Sequence, residues 1–397
     1  MKKNILWLFL MVCCLPVWGR SMASDSARIS LLTCAPGSEI YALFGHTALR
    51  YENPAKGEDF VFNYGMFSFN TPNFVMRFVK GETDYQLGVV RYPYFEAEYG
   101  MRESSIYQQE LNLTQEEVNR VIQLLWDNYR PANRVYRYNY FYDNCTTRAR
   151  DKVEQGIAGK VVYPESAEKR TFRDIVREYT AGHEWSALGI DLCLGSEADE
   201  PIDERKQMFS PFYMLNFARK AMIHRADTIV PLVKSEKKLL NFEGKDEKLL
   251  EKDEELSYPS PMTCAIIWWI LTLGVMAWSI RRKKVCWLWD ILLFGAQGIG
   301  GCIIAFLFFF SVHPTVNSNW MLVLLNPIPL VYLPIMVYKG IKGKRDAYHW
   351  INSAVLTLFI IIMPFLPQKF NASVLPLALN LLTCSVGHLI LYRRKDK

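Results

Sequence analysis

Histidine and cysteine are scarce in the less apolar part of this chain. Six histidines occur in 397 residues, and residues 24–261 hold only His46, His183 and His224, beside Cys34, Cys145 and Cys193. They form no CxxC pair and no HExxH segment, which removes the common zinc arrangements, so no metal or cofactor is expected. A Gly-x-Ser-x-Gly elbow is missing too, and with it a serine hydrolase of that type. The net charge of +6 sits largely in three short clusters, at 281–284, 339–345 and 393–397, and calls for no nucleic acid. No internal repeat is visible.

Apolar sequence is abundant and unevenly placed. Runs at about 262–280, 286–311, 320–338, 350–366 and 373–392 each approach the ~20 residues that cross a bilayer. The basic clusters fall at alternate ends of these runs, whereas the loops near 312–319 and 367–372 contain only Lys369 between them. The clusters and the C-terminus are therefore expected in the cytoplasm, and residues 24–261 in the periplasm. The N-terminus agrees: Met1-Lys2-Lys3, the apolar run Ile5 to Trp18 and Ser21-Met22-Ala23 read as a signal peptide cleaved after Ala23. The alternative, an uncleaved anchor, has an apolar core shorter than a spanning helix prefers.

The chain thus divides into a signal peptide (1–23), a periplasmic domain (24–233), a charged linker (234–261) and a five-span membrane domain (262–397). Within the exported part, Ala48–Tyr51, Asp59–Tyr64 and Tyr85–Val90 alternate like strands of a small antiparallel sheet. Asn73 to Lys80 is a short amphipathic segment, either a helix packed on that sheet or a lip that touches lipid. Thr114 and Glu117 form a capping box opening a helix that ends before Pro131. A second helix starts near Cys145, capped by Asp143 or Asn144, and Phe212 to Arg225 reads as a third. Lys234 to Glu255, rich in Lys and Glu, reads as solvated helix or disordered spacer.

Cys145, in the first turn of a helix, has the setting of an activated thiol. The unpaired amides and positive end of the helix favour thiolate and can receive an oxyanion, and Arg148 and Arg150 add positive field. His46, preceded by a glycine at a strand start, is the candidate base, and Asn63 on the next strand its orienting acceptor, with Tyr64 and Asp59 as competitors. The bland reading is a small buried thiol and a satisfied polar histidine. Three thiols in an oxidising compartment leave at least one unpaired; a Cys34–Cys193 disulfide would leave Cys145, and the alternative is three free thiols. Among the spans, His313-Pro314, Asn317 to Trp320, Asn326-Pro327, Asp290 and Gln297 are polar groups at costly depths, either functional or ordinary anchors and kinks.

These residues resemble a family. A histidine on a strand followed by a helix-leading Asn-Cys is similar to the circularly permuted papain-like enzymes of the lecithin:retinol acyltransferase and NlpC type. More closely, Leu31–Gly37, Phe44-Gly45-His46-Thr47-Ala48, Phe62-Asn63-Tyr64-Gly65 and Asp143-Asn144-Cys145-Thr146-Thr147-Arg148 resemble the periplasmic domain of Lnb-type lipoprotein N-acyltransferases. The external His-Pro loop and the Asn-Pro motif of the third span are similar to that family's membrane part. The resemblance implies an α+β permuted papain-like domain followed by five transmembrane helices in a bacterial inner membrane. Cys145 would take an acyl chain from a phospholipid as a thioester and pass it to the N-terminal amine of a diacylated lipoprotein, with His46 as base. Beside Cys145, His46 and Asn63, the residues expected to meet substrate are Tyr64, Asn144, Arg148, His313, Asn319 and Asn326. Two rival functions use the same sequence: a papain-like cell-wall amidase or peptidase, and a non-catalytic membrane assembly factor.

Overall fold

The computed structural model describes residues 26–37, 39–70, 72–242 and 258–395. The signal peptide and residues 243–257 of the expected linker lie outside them. The exported part is built on a seven-stranded antiparallel sheet. In chain order its strands are β1 (Arg28–Cys34), β2 (His46–Asn53), β3 (Glu58–Met66), β4 (Asp84–Arg91), β5 (Ile106–Leu111), β6 (Val135–Arg137) and β7 (Val233–Leu240), arranged in space as β7-β5-β1-β2-β3-β4-β6. Cys34 lies directly across from His46 in the β1–β2 register.

Between β3 and β4 runs helix α1 (Phe74–Lys80). Helix α2 (Gln115–Tyr129) opens on the Thr114–Glu117 capping box that its sequence carries, and α3 (Cys145–Gly156) opens on Asn144. Val118, Val121 and Leu125 of α2 and Ala149 and Val153 of α3 recur at helical spacing and close over Leu31, Leu49, Phe62 and Tyr64 of the sheet. Each buried Val, Leu or Phe contributes roughly 1.5–3 kcal/mol, so this packing fixes where the first turn of α3 meets the strands.

Two expectations need correction. The domain does not stop at 233: Val233–Leu240 pairs along β5 as an edge strand, with Lys234 reaching Glu110 at 2.8 Å and Glu236 reaching Arg219 at 2.6 Å. Alternating Lys and Glu suits an edge strand with one face in water, which composition alone makes look like a spacer. The third helix ends at Lys220, because Met222–His224 leaves it to pair with Lys160–Val162 and Ile229–Pro231. The segment at 73–80 is a helix with none of its residues buried; Arg77 pairs with Asp84 of β4, and the last carbonyls of the helix are taken by the membrane domain. Val312 N donates to Lys80 O (2.8 Å), Ser311 Oγ to Val79 O (2.9 Å) and His313 Nε2 to Phe78 O (2.7 Å).

Among the described residues, five helices are long and apolar enough to cross a membrane: Pro261–Arg282, Trp287–Phe310, Met321–Lys342, Ala347–Phe365 and Val374–Arg393. The third is broken after Leu324 and resumes at Ile328, at the Asn326-Pro327 pair. Gln297 of the second span donates to the freed Leu324 carbonyl at 2.8 Å, which answers the need for a partner at that depth.

The exported domain sits on the loops that join spans two to three and four to five. Two further helices make this joint, α4 (Phe172–Tyr179) and α5 (Glu184–Cys193). Gly195 N donates to Thr315 O, Asn319 Nδ2 to Leu192 O, Gln368 Nε2 to Leu194 O and Lys369 N to Asp199. Behind them lies Arg173 of α4, wholly buried, its guanidinium bonded to both Asp199 oxygens, to Asp191 and to the Leu194 and Gly195 carbonyls.

Candidate active site

His46 is the first residue of β2, and its position depends on the glycine before it. Gly45 has φ +74°, and a Cβ there would lie 2.5 Å from the Cys34 carbonyl oxygen. Only glycine accepts both the left-handed conformation and the contact. On the neighbouring strand Asn63 turns its side chain to His46, with Oδ1 2.5 Å from Nε2. A carbonyl oxygen can only accept, so Nε2 carries the proton and Nδ1 is left for the sulfur. Gly65, at φ +92°, forms the floor: a Cβ there would sit 3.7 Å from Cys145 Cβ and 4.0 Å from His46 Cε1, so both side chains flank one point.

Cys145 is carried into this place by Asn144. That amide uses all four of its hydrogen-bonding positions: Oδ1 accepts from Thr146 N (2.9 Å) and Thr147 N (3.0 Å), and Nδ2 donates to Tyr140 O (2.8 Å) and Phe209 O (2.9 Å). Thr146 Oγ1 donates to Thr47 Oγ1 at 3.1 Å, tying the helix start to the histidine strand.

Burial works against a charged Cys145, but the His46 ring, the Thr47 amide and Thr146 outweigh it and bring the thiol down from 9.0 to about 7. Burial likewise opposes a charged His46, and the Cys145 sulfur with Asn63 overcomes it, so the imidazole is raised. The two shifts have one cause, a thiolate–imidazolium attraction. The other exported thiols go the opposite way: burial pushes Cys193 up to about 11 and Cys34 higher still. Of the three, Cys145 alone is drawn toward thiolate.

This pair makes a pH-dependent prediction. Iodoacetamide labelling of Cys145 is expected to rise with a midpoint near pH 7 and level off above it, because only the thiolate reacts. In His46→Ala the midpoint should move above the ordinary ~8.5 of a free thiol, since burial remains and its counter-charge is gone. Mass spectrometry of the Cys145 peptide across pH reads both, and equal midpoints would remove the coupling.

The other residues expected at the site fare differently. Cys34 and Cys193 form no disulfide: both are free, Cys34 inside a cluster with Leu32, Phe95 and Tyr99, Cys193 at the end of α5 by the membrane loops. Tyr64 is fully buried and donates to Asn128 at 2.7 Å. Arg148 grips Asp143 through two bonds, at 2.6 and 2.7 Å, and lies 3.6 Å over the Tyr136 ring. Asn319 is buried among Leu192, Met321 and Gln368, and Asn326 bonds Val323 O and Ile328 N across the helix break. The polar atoms of Tyr64, Asn144 and Asn319 are thus committed inside the protein, and His313 closes the end of α1 far along the chain from the thiol.

A second feature was missed from the sequence. Rings link the segments flanking the strands of His46 and Asn63 to the membrane domain: Tyr41 meets Phe67 (6.2 Å between centroids), Phe67 meets Phe69 and Phe74, Phe74 meets Phe78 (6.1 Å), and Phe78 meets His313 (5.9 Å). Tyr41, Phe69, Val75 and Phe78 are at least half exposed, an apolar surface larger than scattered residues explain. The run of Phe and Tyr at 41, 67, 69, 74 and 78 was the available signal. A cleft of about 810 Å³ beside Tyr107, Glu178 and Tyr213 includes neither Cys145 nor His46.

A sheet domain with a paired thiol and imidazole, seated on five apolar helices, defines a membrane protein with an enzyme-like exported domain. The chain belongs to the Lnb family: its N-terminal periplasmic domain matches residues 15–178 and its transmembrane domain residues 252–396. That membership points to an enzyme of lipoprotein maturation. No curated protein and no solved structure matches the chain.

Proposed function

We propose that this protein is a lipoprotein N-acyltransferase working through a Cys145 thioester, on an exported domain of permuted papain-like type. The observation that carries the reading is the coupled Cys145–His46–Asn63 set at the head of an apolar aromatic surface that runs to the membrane helices. The Cys145 thiolate attacks a phospholipid ester carbonyl; the C–O bond breaks, and the His46 imidazolium gives its proton to the leaving lysophospholipid oxygen. The N-terminal amine of a diacylated lipoprotein then attacks the thioester. The C–S bond breaks, His46 takes the amine proton, and the thiolate returns. The Cys145 amide, which the Asn144 side chain does not cap, is suited to the oxyanion of both steps. Orientation with the C-terminus in the cytoplasm follows from the basic clusters and sets this surface against the outer leaflet of the inner membrane.

A cell-wall amidase would use the same thiol, but it has no need of an apolar approach to it. The test is expression in a host depleted of its own lipoprotein N-acylation, followed by mass spectrometry of lipoprotein N-termini, with acyl-labelled phospholipid supplied to the membranes. A third acyl chain and a hydroxylamine-sensitive label on the Cys145 peptide are expected. Lipoproteins left with two chains and altered muropeptides would replace this reading with the amidase.

A further inference from the structure

At the end of the helical bundle away from the sheet, four ionisable side chains converge and only partly satisfy one another. Asp290 lies in the first turn of the second span, His349 in that of the fourth, and Cys384 and His388, one helical turn apart, on the fifth. All four are at most 2% exposed. His388 Nε2 is 2.9 Å from Asp290 Oδ1, and Cys384 Sγ is 3.4 Å from the same oxygen. One potential ligand atom each from Asp290, Cys384 and His388 lie within 4.8 Å of one another. The His349 ring stacks on His388, centroids 3.9 Å apart and planes 4° from parallel.

The second observation is what remains unpaired. Asp290 Oδ2, His388 Nδ1 and both ring nitrogens of His349 are buried and have no hydrogen-bond partner in the protein. Each buried polar atom without a partner costs stability, the more so for an ionisable group. One divalent cation would draw one donor atom from each of these side chains and leave fewer of them orphaned. A thiolate with imidazole and carboxylate is a borderline-soft donor set, unsuited to calcium or magnesium and suited to tetrahedral zinc. We propose that Asp290, Cys384, His388 and His349 bind one structural zinc ion, His349 swinging from its stack to complete the four, with release of the Cys384 thiol proton. The ion clasps three spans at the end remote from Cys145 and takes no part in chemistry there.

The full chain, purified in detergent on a tag without histidine, should carry about one zinc per molecule by plasma mass spectrometry, as a closed four-ligand site holds its metal. Asp290→Asn and Cys384→Ser should each lose most of it, whereas Cys302→Ser, an exposed thiol of the second span, should not. Should either ligand variant fail to fold, the wild type still decides: chelation followed by cobalt(II) should give a near-ultraviolet thiolate-to-cobalt band. Wild type that emerges without zinc and gives no such band overturns the proposal and leaves the Asp290–His388 hydrogen bond as a plain interhelical tie.

Discussion

Cys145→Ala is expected to abolish acyl transfer to the limit of detection, and His46→Ala to lower it by roughly 10²–10⁴-fold, the range of a lost general base. In His46→Ala the thiol survives but loses the cation that makes it a thiolate at neutral pH, and the leaving oxygen loses its proton donor. Because the two act as a unit, the double variant should be no worse than Cys145→Ala alone. Asn63→Ala should cost less than His46→Ala: it frees the imidazole to turn but leaves both reacting groups in place. Single-turnover transfer from labelled phospholipid in proteoliposomes measures all four. Activity of Cys145→Ala within tenfold of wild type, on folded protein, would end the thioester mechanism.

The second large effect belongs to a residue far from the thiol. Arg173→Met should destabilise the protein by about 3–5 kcal/mol, the cost of stripping one partner from a buried ion pair. Both carboxylates it serves, Asp191 and Asp199, have side chains no more than 3% exposed, so neither can turn to water. Arg173→Lys should recover only part, since an ammonium cannot reach two carboxylates and two carbonyls as the flat guanidinium does. Because Asp199 also receives Lys369 N from the loop between spans four and five, the loss should loosen the seat of the exported domain as well. Thermal unfolding in detergent and limited proteolysis near 190–200 test this, and an unchanged melting temperature with wild-type protease resistance would refute it.

Local chemistry made much of this architecture legible in the sequence. Thr114 and Glu117 announce their helix because a capping box is a short-range device, and the five spans follow from length and solvent alone. Gly45, His46 and Cys145 were readable since glycine before a strand and Asn-Cys at a helix start each carry their own geometry. What stayed hidden depends on distant segments meeting. Arg173 looks like any helix arginine until residues 191–199 fold around it. Val233–Leu240 looks like spacer because its partner, β5, lies more than a hundred residues back. The Asp290, His349, Cys384 and His388 cluster offers one local clue, the four-residue step between its last two members.

The sheet's two margins carry a consequence for life in a crowded compartment. One ends in a three-residue strand, Val135–Arg137, too short to template another chain. The other is Val233–Leu240, whose Lys234, Glu236, Lys237 and Lys238 would confront an arriving strand with charge at half of its positions. A misfolding neighbour or second copy that tried to extend the sheet would find no apolar row to zip against. A domain that displays a run of exposed rings thus keeps its backbone edges unattractive to a further strand.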